Sequence, residues 1–260
     1  MKYFILLIVC PLIALFSSCS TQTDPLKIAA TPVPHADILN EIKPELAKEG
    51  IEIKVIEVDD YNLPNRLLAE KQVDANFFQH EPFLEMQKKQ FGYSLVSLAK
   101  VHIEPLGAYS EKIRTLDALP DEAVIAIPND PTNEARALKL LEKGGLITLK
   151  SDSQLVTTLD IETNPKRLKF EEIDAAFLPR ALADVAVAII PANFALQASL
   201  DPLKDAIFSE SGESPYANLI AVRSEEASRT DFQKLKTALQ SEKIRQFILD
   251  KYKGSILPAF

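Results

Sequence analysis

The chain reads as an α/β protein with parallel-rich sheets flanked by helices, and three observations predict this. Strand-like and helix-like segments alternate along its length, as in βαβ units. The run Val185-Ala186-Val187-Ala188-Ile189-Ile190 has no polar break, as expected of a central parallel strand covered on both faces. The stretch from Ile125 to Ile147, I-A-I-P-N-D-P-T-N-E-A-R-A-L-K-L-L-E-K-G-G-L-I, begins as a buried strand and turns through Pro128, Asn129 and Asp130 into a helix. A strand feeding a helix through polar residues is where an α/β protein places a ligand.

Each element has its own signal. Lys27 to Thr31 reads as the first strand, and Pro32 to Pro34 as a turn. His35 to Glu49 carries Ile38, Leu39, Ile42 and Leu46 at helical spacing, with a kink expected at Pro44 and a stop at Gly50. Ile51, Ile53 and Val55 alternate as a strand. Tyr61-Asn62-Leu63-Pro64 starts a helix running to Glu70. Val73 to Phe78 is strand-like and Pro82 to Gln90 helical. Further strands fit Leu95 to His102, Val124 to Ile127 and Leu219 to Val222. Asp130 suits the N-cap of the next helix and Pro131 its first position, where the missing N–H has no partner to lose. Gly144 and Gly145 end that helix. Asp231 to Tyr252 reads as two helices meeting near Ser241.

The N-terminus has a separate purpose. Met1-Lys2 is a minimal positive start, and Tyr3 to Phe16 is an apolar run. As a helix that run is about 20 Å long, short of the roughly 30 Å of a bilayer core. Ser17-Ser18-Cys19 follows. Residues 1–18 therefore read as a secretory signal. Cys10 lies in the discarded part, so the folded part offers no disulfide, thiolate metal site or cysteine nucleophile. The net charge of −8 argues against a nucleic-acid partner. Arg136, near the start of a helix that follows a strand, can hold a carboxylate through two parallel hydrogen bonds.

Pro128 to Leu138, P-N-D-P-T-N-x-x-R-A-L, closely resembles a signature of the methionine-binding lipoproteins, the substrate-binding components of bacterial methionine ABC importers. Ala135 stands where that pattern has glycine. Five further segments are similar to the family in the same order: A-T-P-V-P-H-A-D-I-L (Ala30 to Leu39), D-Y-N-L-P-N (Asp60 to Asn65), V-D-A-N-F-F-Q-H-E-P-F-L (Val73 to Leu84), L-P-R-A-L-A-D (Leu178 to Asp184) and S-P-Y-A-N (Ser214 to Asn218). The resemblance covers nearly the whole chain after the signal. It implies a two-lobed periplasmic substrate-binding protein of the type II-like kind, with the ligand cleft between lobes. Lobe one would be 27–105 plus 207–260, and lobe two 106–206. The signal then resembles a lipoprotein signal, although Phe16 stands where leucine is usual. Cys19 would be the acylated anchor and 19–26 the tether, holding the protein to a bacterial membrane in the cell envelope.

The resemblance also implies the site. Arg136 takes the ligand carboxylate, and Asn218 accepts from its ammonium through the side-chain carbonyl. Tyr61, Phe78, His80 and Phe83 form an aromatic slot around the thioether, where sulfur–ring contacts contribute roughly 0.3–1.5 kcal/mol each. From the residues alone, Phe78 and Phe83 read equally as core, His80 as a satisfied buried histidine and Asn218 as a turn cap. Two departures from the pattern matter. Pro191 stands where asparagine is usual, with Asn193 two residues on as a substitute, and Phe83 replaces tyrosine. L-Methionine is the first choice of ligand. A related amino acid or a methionine derivative fits the same class of pocket.

The partners implied are that ligand, an ABC permease and the bilayer. No cofactor is implied. An enzyme is disfavoured: there is no G-x-S-x-G, H-E-x-x-H, G-x-G-x-x-G or phosphate loop, and only seven glycines. His35, His80 and His102 lack the spacing that puts two imidazoles on one metal, although abundant carboxylates leave open a metal site built from distant parts. A surface lipoprotein with a structural or adhesive role is the third reading.

Overall fold

The computed structural model describes residues 24–212 and 215–260. The signal, Cys19, the tether up to residue 23 and Ser214 lie outside the described residues. In chain order the strands are β1 (Leu26–Ala30), β2 (Ile53–Glu57), β3 (Ala75–His80), β4 (Leu95–Ile103), β5 (Gly107–Tyr109), β6 (Val124–Pro128), β7 (Thr148–Leu149), β8 (Ile161–Thr163), β9 (Lys169–Ile173), β10 (Val187–Ile190), β11 (Ala206–Ser209), β12 (Ala217–Arg223) and β13 (Leu257–Pro258). The helices are α1 (Asp37–Lys48), α2 (Leu63–Ala69), α3 (Glu81–Phe91), α4 (Pro131–Lys143), α5 (Leu178–Ala181), α6 (Ala192–Gln197), α7 (Thr230–Leu239) and α8 (Glu242–Tyr252).

These elements build two lobes, each with its own sheet. The first sheet has six strands in the order β13-β4-β12-β3-β1-β2, and the second has five in the order β11-β5-β10-β6-β9. Parallel pairing is confined to β2-β1-β3 and β9-β6-β10. The strands at which the chain crosses between lobes are antiparallel: β12 slots between β3 and β4, and β10 pairs with β5. Both sheets are therefore mixed, and the apolar run at Val187–Ile190 is central with one neighbour of each direction. The strand β11 spans the expected return at Ile207 yet pairs with β5, so the chain leaves the second sheet only after Ser209.

Separate cores support the lobes. Ile38, Leu39, Ile42 and Leu46 of α1 pack with Phe77, Ile220, Phe232, Leu235, Ile244 and Ile248, so the C-terminal helices close the first lobe. Ile125, Ile127, Leu138, Leu141, Val187 and Ile189 form a core of the second. Pro44 lies inside a helix that runs unbroken from Asp37 to Lys48. The carbonyl it leaves unpaired belongs to Asn40, which is exposed, so water can satisfy it and the helix need not end. Asp130 caps α4 by accepting from the Asn133 N–H, and Ser241 caps α8 in the same way through Ile244. The left-handed turn after α4 falls on Gly145 (φ +73°), while Gly144 stays helical. No helix among the described residues is long and apolar enough to cross a membrane.

Candidate functional site

A narrow cleft opens between the sheets. Its walls are Tyr61, Phe78, Gln79, His80, Phe83 and Asn218 from lobe one, Asn133, Arg136 and Pro191 from lobe two, and Glu104 from the β4–β5 crossing. Six of the seven expected ligand residues, Tyr61, Phe78, His80, Phe83, Arg136 and Asn218, thus line one cleft. Asn193 is fully buried and does not line it. Its Oδ1 accepts from the Tyr61 hydroxyl at 2.7 Å, and its Nδ2 is buried without a partner.

The strand ends set these positions. His80 closes β3 and caps α3: its Nδ1 accepts from the Phe83 N–H at 3.2 Å. That leaves Nε2–H to donate to Asn133 Oδ1 across the cleft at 3.1 Å, and Asn133 Nδ2 in turn donates to Asp130. A polar chain therefore joins the lobes at the start of α4. Burial, reinforced by the nearby Arg136 charge, pushes the His80 pKa down to about 3, so the ring is neutral. Gln79 is fixed by an amide cluster with Asn65 and Asn76 at 2.8–2.9 Å. The cluster explains the second asparagine of D-Y-N-L-P-N. The aromatic wall is continuous, with Tyr61 5.9 Å from both Phe78 and Phe83, and those two 5.7 Å apart, ring centre to ring centre.

Arg136 is 3% exposed. Its Nε and Nη2 donate to the two carboxylate oxygens of Glu210 at 2.8 and 2.5 Å, and Nη2 also donates to the Glu104 carbonyl at 2.6 Å. Its guanidinium carbon lies 4.4 Å from the Tyr216 ring centre. Burial pulls its pKa down, but Glu210 outweighs this and the net shift is upward. Glu210 is itself tied to the β4–β5 crossing, where its Oε2 accepts from the Leu106 N–H at 3.0 Å. One edge of the guanidinium is thus locked in place.

Two acids that hold this geometry, Glu210 and Glu104, were not singled out from the sequence. Glu104 is 4% exposed. Its Oε1 lies 2.7 Å from His102 Nε2 and 3.2 Å from His35 Nε2, and its Oε2 accepts from the Asn193 N–H at 3.1 Å. Burial raises its pKa, against the pull of His35, Arg136 and that N–H. Burial also pushes the pKa values of His35 and His102 down to about 3. His35 is oriented by Thr31 at 2.6 Å through Nδ1, and its Nε2 lies 3.3 Å from Asn218 Oδ1. Among the described residues, His35, His102 and Glu104 also bring three metal-ligating atoms within 4.8 Å of one another. Sequence spacing separated the two histidines by most of a lobe. His102 Nε2 hydrogen-bonds that carboxylate, whereas His35 Nε2 approaches it and hydrogen-bonds Asn218.

Residues 26–260 match the family model described as NlpA lipoprotein. The chain belongs to the NlpA lipoprotein family. Among relatives of this NlpA lipoprotein, the methionine-binding lipoprotein MetQ of Bacillus subtilis (strain 168) is 43% identical over 237 residues, 89% of this chain and 86% of that one. The D-methionine-binding lipoprotein MetQ of Escherichia coli (strain K12) is 43% identical over 209 residues, covering 78% of this chain and 77% of its own length. The structure of a nutrient-binding protein from Burkholderia cenocepacia bound to methionine superposes with a TM-score of 0.88 at 45% identity. It covers 90% of this chain and 100% of that one.

Proposed function

We propose that this NlpA lipoprotein is the substrate-binding component of a bacterial ABC importer, and that it captures a free amino acid, L-methionine first, between its lobes. The observation that carries the reading is a buried arginine held rigid by Glu210 in a cleft whose opposite wall is Tyr61, Phe78 and Phe83. A fixed guanidinium beside an aromatic slot suits a carboxylate attached to an apolar, thioether-bearing side chain. The Nη1 donors, which neither Glu210 nor Glu104 uses, take the ligand carboxylate. Asn218 faces the α-carbon substituents.

The action is capture and delivery, with no chemical step. Ligand contacting both lobes favours the closed form, because it gains both sets of contacts only there. The loaded protein then docks on a membrane permease. Acylated Cys19 anchors it to the bilayer in the cell envelope, with 27–105 and the segment after Ser209 as the anchored lobe and 106–209 as the second. The test is calorimetry on unfolded and refolded protein, stripped of ligand, with both methionine enantiomers, the other amino acids, methionine dipeptides and divalent metals. Selective methionine binding supports the reading. Selective binding of another amino acid reassigns the substrate, and binding of a metal alone at His35, His102 and Glu104 overturns it.

A further inference from the structure

The chain enters lobe one at the end of the sheet that lies away from the cleft. Ile28, Ala75, Val222 and Val96 stand side by side across β1, β3, β12 and β4. Two residues before that row lie Leu26 on β1 and Ser94 next to β4. The entries to β1 and β4 are therefore at the same end, three strand spacings or about 14 Å apart. The opposite ends face the ligand: β3 finishes at His80, and β4 leads into Glu104. Cys19 precedes Asp24 by five residues, which span at most about 18 Å. Acyl chains on Cys19 thus hold the entry end of lobe one close to the bilayer.

That end carries aromatic and cationic side chains on the side of the sheet covered by α2 and α3. Phe91, on the last turn of α3, is 52% exposed and stacks on Tyr93, with ring centres 5.4 Å apart and planes 27° apart. Tyr93 also packs against the core of Leu68, Leu84 and Leu95, so the pair is fixed in place. Lys27, Lys71 and Lys89 are exposed on the same side and end. Lys27 alternates with buried Leu26 and Ile28 of the other face, Lys71 follows α2, and Lys89 lies in the last turn of α3. None of the three has an ion pair among the described residues. The acids nearby are engaged. Glu85 pairs with Lys88 at 2.7 Å, Asp74 accepts from the Lys27 backbone N–H at 2.8 Å, and Glu70 accepts from Gln72 at 2.8 Å. In a chain of net charge −8, three lysines beside an exposed aromatic pair at the anchored end suit an anionic lipid surface. Aromatic rings settle at the headgroup level there, and lysines are drawn to the negative headgroups.

We propose that this end of lobe one is a bilayer-docking surface: Phe91 and Tyr93 seat in the headgroup layer, Lys27, Lys71 and Lys89 meet anionic headgroups, and the tethered receptor stands upright with its cleft open to solution. Loading takes place in this pose, and the receptor leaves the patch when it docks on the permease. The proposal rests on the acylation of Cys19 proposed above and adds the face that meets the lipid.

The chain has no tryptophan, so Phe91→Trp places a single fluorophore in the patch, and Phe177→Trp, at a position 54% exposed in lobe two, is the control. Full-length acylated protein is reconstituted on vesicles of phosphatidylethanolamine and phosphatidylglycerol, with and without brominated acyl chains. Mass spectrometry reads the acyl group and flotation reads the anchor. Emission from Phe91→Trp should shift to the blue on vesicles and be quenched by brominated lipid, and emission from Phe177→Trp should do neither. Adding Lys71→Gln and Lys89→Gln should lower the ratio of docked to undocked protein about five-fold per lysine, read as lost quenching; unchanged quenching would overturn the part given to the lysines. Gln90→Trp, on the same exposed turn, repeats the measurement should Phe91→Trp fail to fold. Acylated, floating protein whose emission at this turn is unquenched overturns the proposal and leaves the anchor standing. Equal quenching at positions 91 and 177 overturns the upright pose. A blue shift without quenching that grows with protein density assigns the patch to a second copy and overturns it too. Protein that carries no acyl group and does not float removes the anchor, and the proposal fails with it.

Discussion

Replacing Arg136 by alanine should damage binding and stability together, and the structure separates the two effects. The guanidinium is 3% exposed and the Glu210 side chain 15%. Its removal leaves Glu210 with the Leu106 N–H and no cation, and breaking a buried ion pair from one side costs about 3–5 kcal/mol. The lost bond to the Glu104 carbonyl adds about 1 kcal/mol. Binding should suffer independently. Two charged hydrogen bonds to a ligand carboxylate contribute roughly 3–6 kcal/mol together, a factor of about 10² to 10⁴ in affinity. Urea unfolding of the ligand-free protein measures the first effect, and calorimetry at a temperature where the variant is folded measures the second. Arg136→Ala combined with Glu210→Ala should recover a large part of the stability, because no unpaired charge remains, and none of the affinity. A folded Arg136→Ala protein that binds methionine within ten-fold of wild type would refute the role given to the guanidinium. A double variant no more stable than the single one would refute the ion-pair argument.

Other outcomes follow from the same geometry. Asn218→Ala should weaken methionine binding by about ten- to hundred-fold, and calorimetry showing unchanged affinity would remove Asn218 from the site. Tyr61→Phe takes the hydroxyl from Asn193, whose Nδ2 already lacks a partner. It should cost about 1–3 kcal/mol in urea unfolding, and a neutral result would contradict the bond. Asp130→Ala removes the cap of α4 and the anchor of Asn133, with an expected loss of about 0.5–2 kcal/mol in the same assay. Stability should also fall with acid. His35, His80 and His102 have pKa values pushed down to about 3, whereas in the unfolded chain histidine titrates near 6.5. Below about pH 6.5 the unfolded chain therefore binds protons that the folded protein does not, which costs up to about 1.4 kcal/mol per pH unit for each ring. Glu104, shifted upward, acts in the opposite direction and offsets part of this. Urea midpoints should drop between pH 7 and pH 5, and equal midpoints would contradict the neutral, buried rings.

The parts of this protein legible in its sequence are those where burial leaves a pattern. Strands β6, β10 and β12 announce themselves because nearly every residue is apolar, and α4 and α8 because cap and apolar face coincide. Strand β9, K-F-E-E-I, carries no such mark. It is an edge strand with charged residues facing water, which is how edges are protected from further pairing. Strand direction was also invisible, since a strand inserted antiparallel by the return of the chain reads like a parallel one. At the site, Arg136 and His80 were found through the motifs around them. Glu104 and Glu210 were not, because an acid between a strand and a proline, or between two serines, reads as surface loop until the crossing between the lobes buries it. One signal was present for Glu104. His102 and Glu104 are two residues apart at a strand end and so share a face, and a histidine and a carboxylate sharing a face that folds inward will bond to each other. Asn193 shows the converse: a residue proposed by position for the ligand hydrogen-bonds the cleft wall instead.

The most direct test of the central claim is the calorimetric titration of stripped protein with L-methionine against the panel of other amino acids. The account predicts selective one-to-one binding of a free amino acid with an apolar side chain, L-methionine foremost, abolished in Arg136→Ala. Absence of binding by every free amino acid would contradict it.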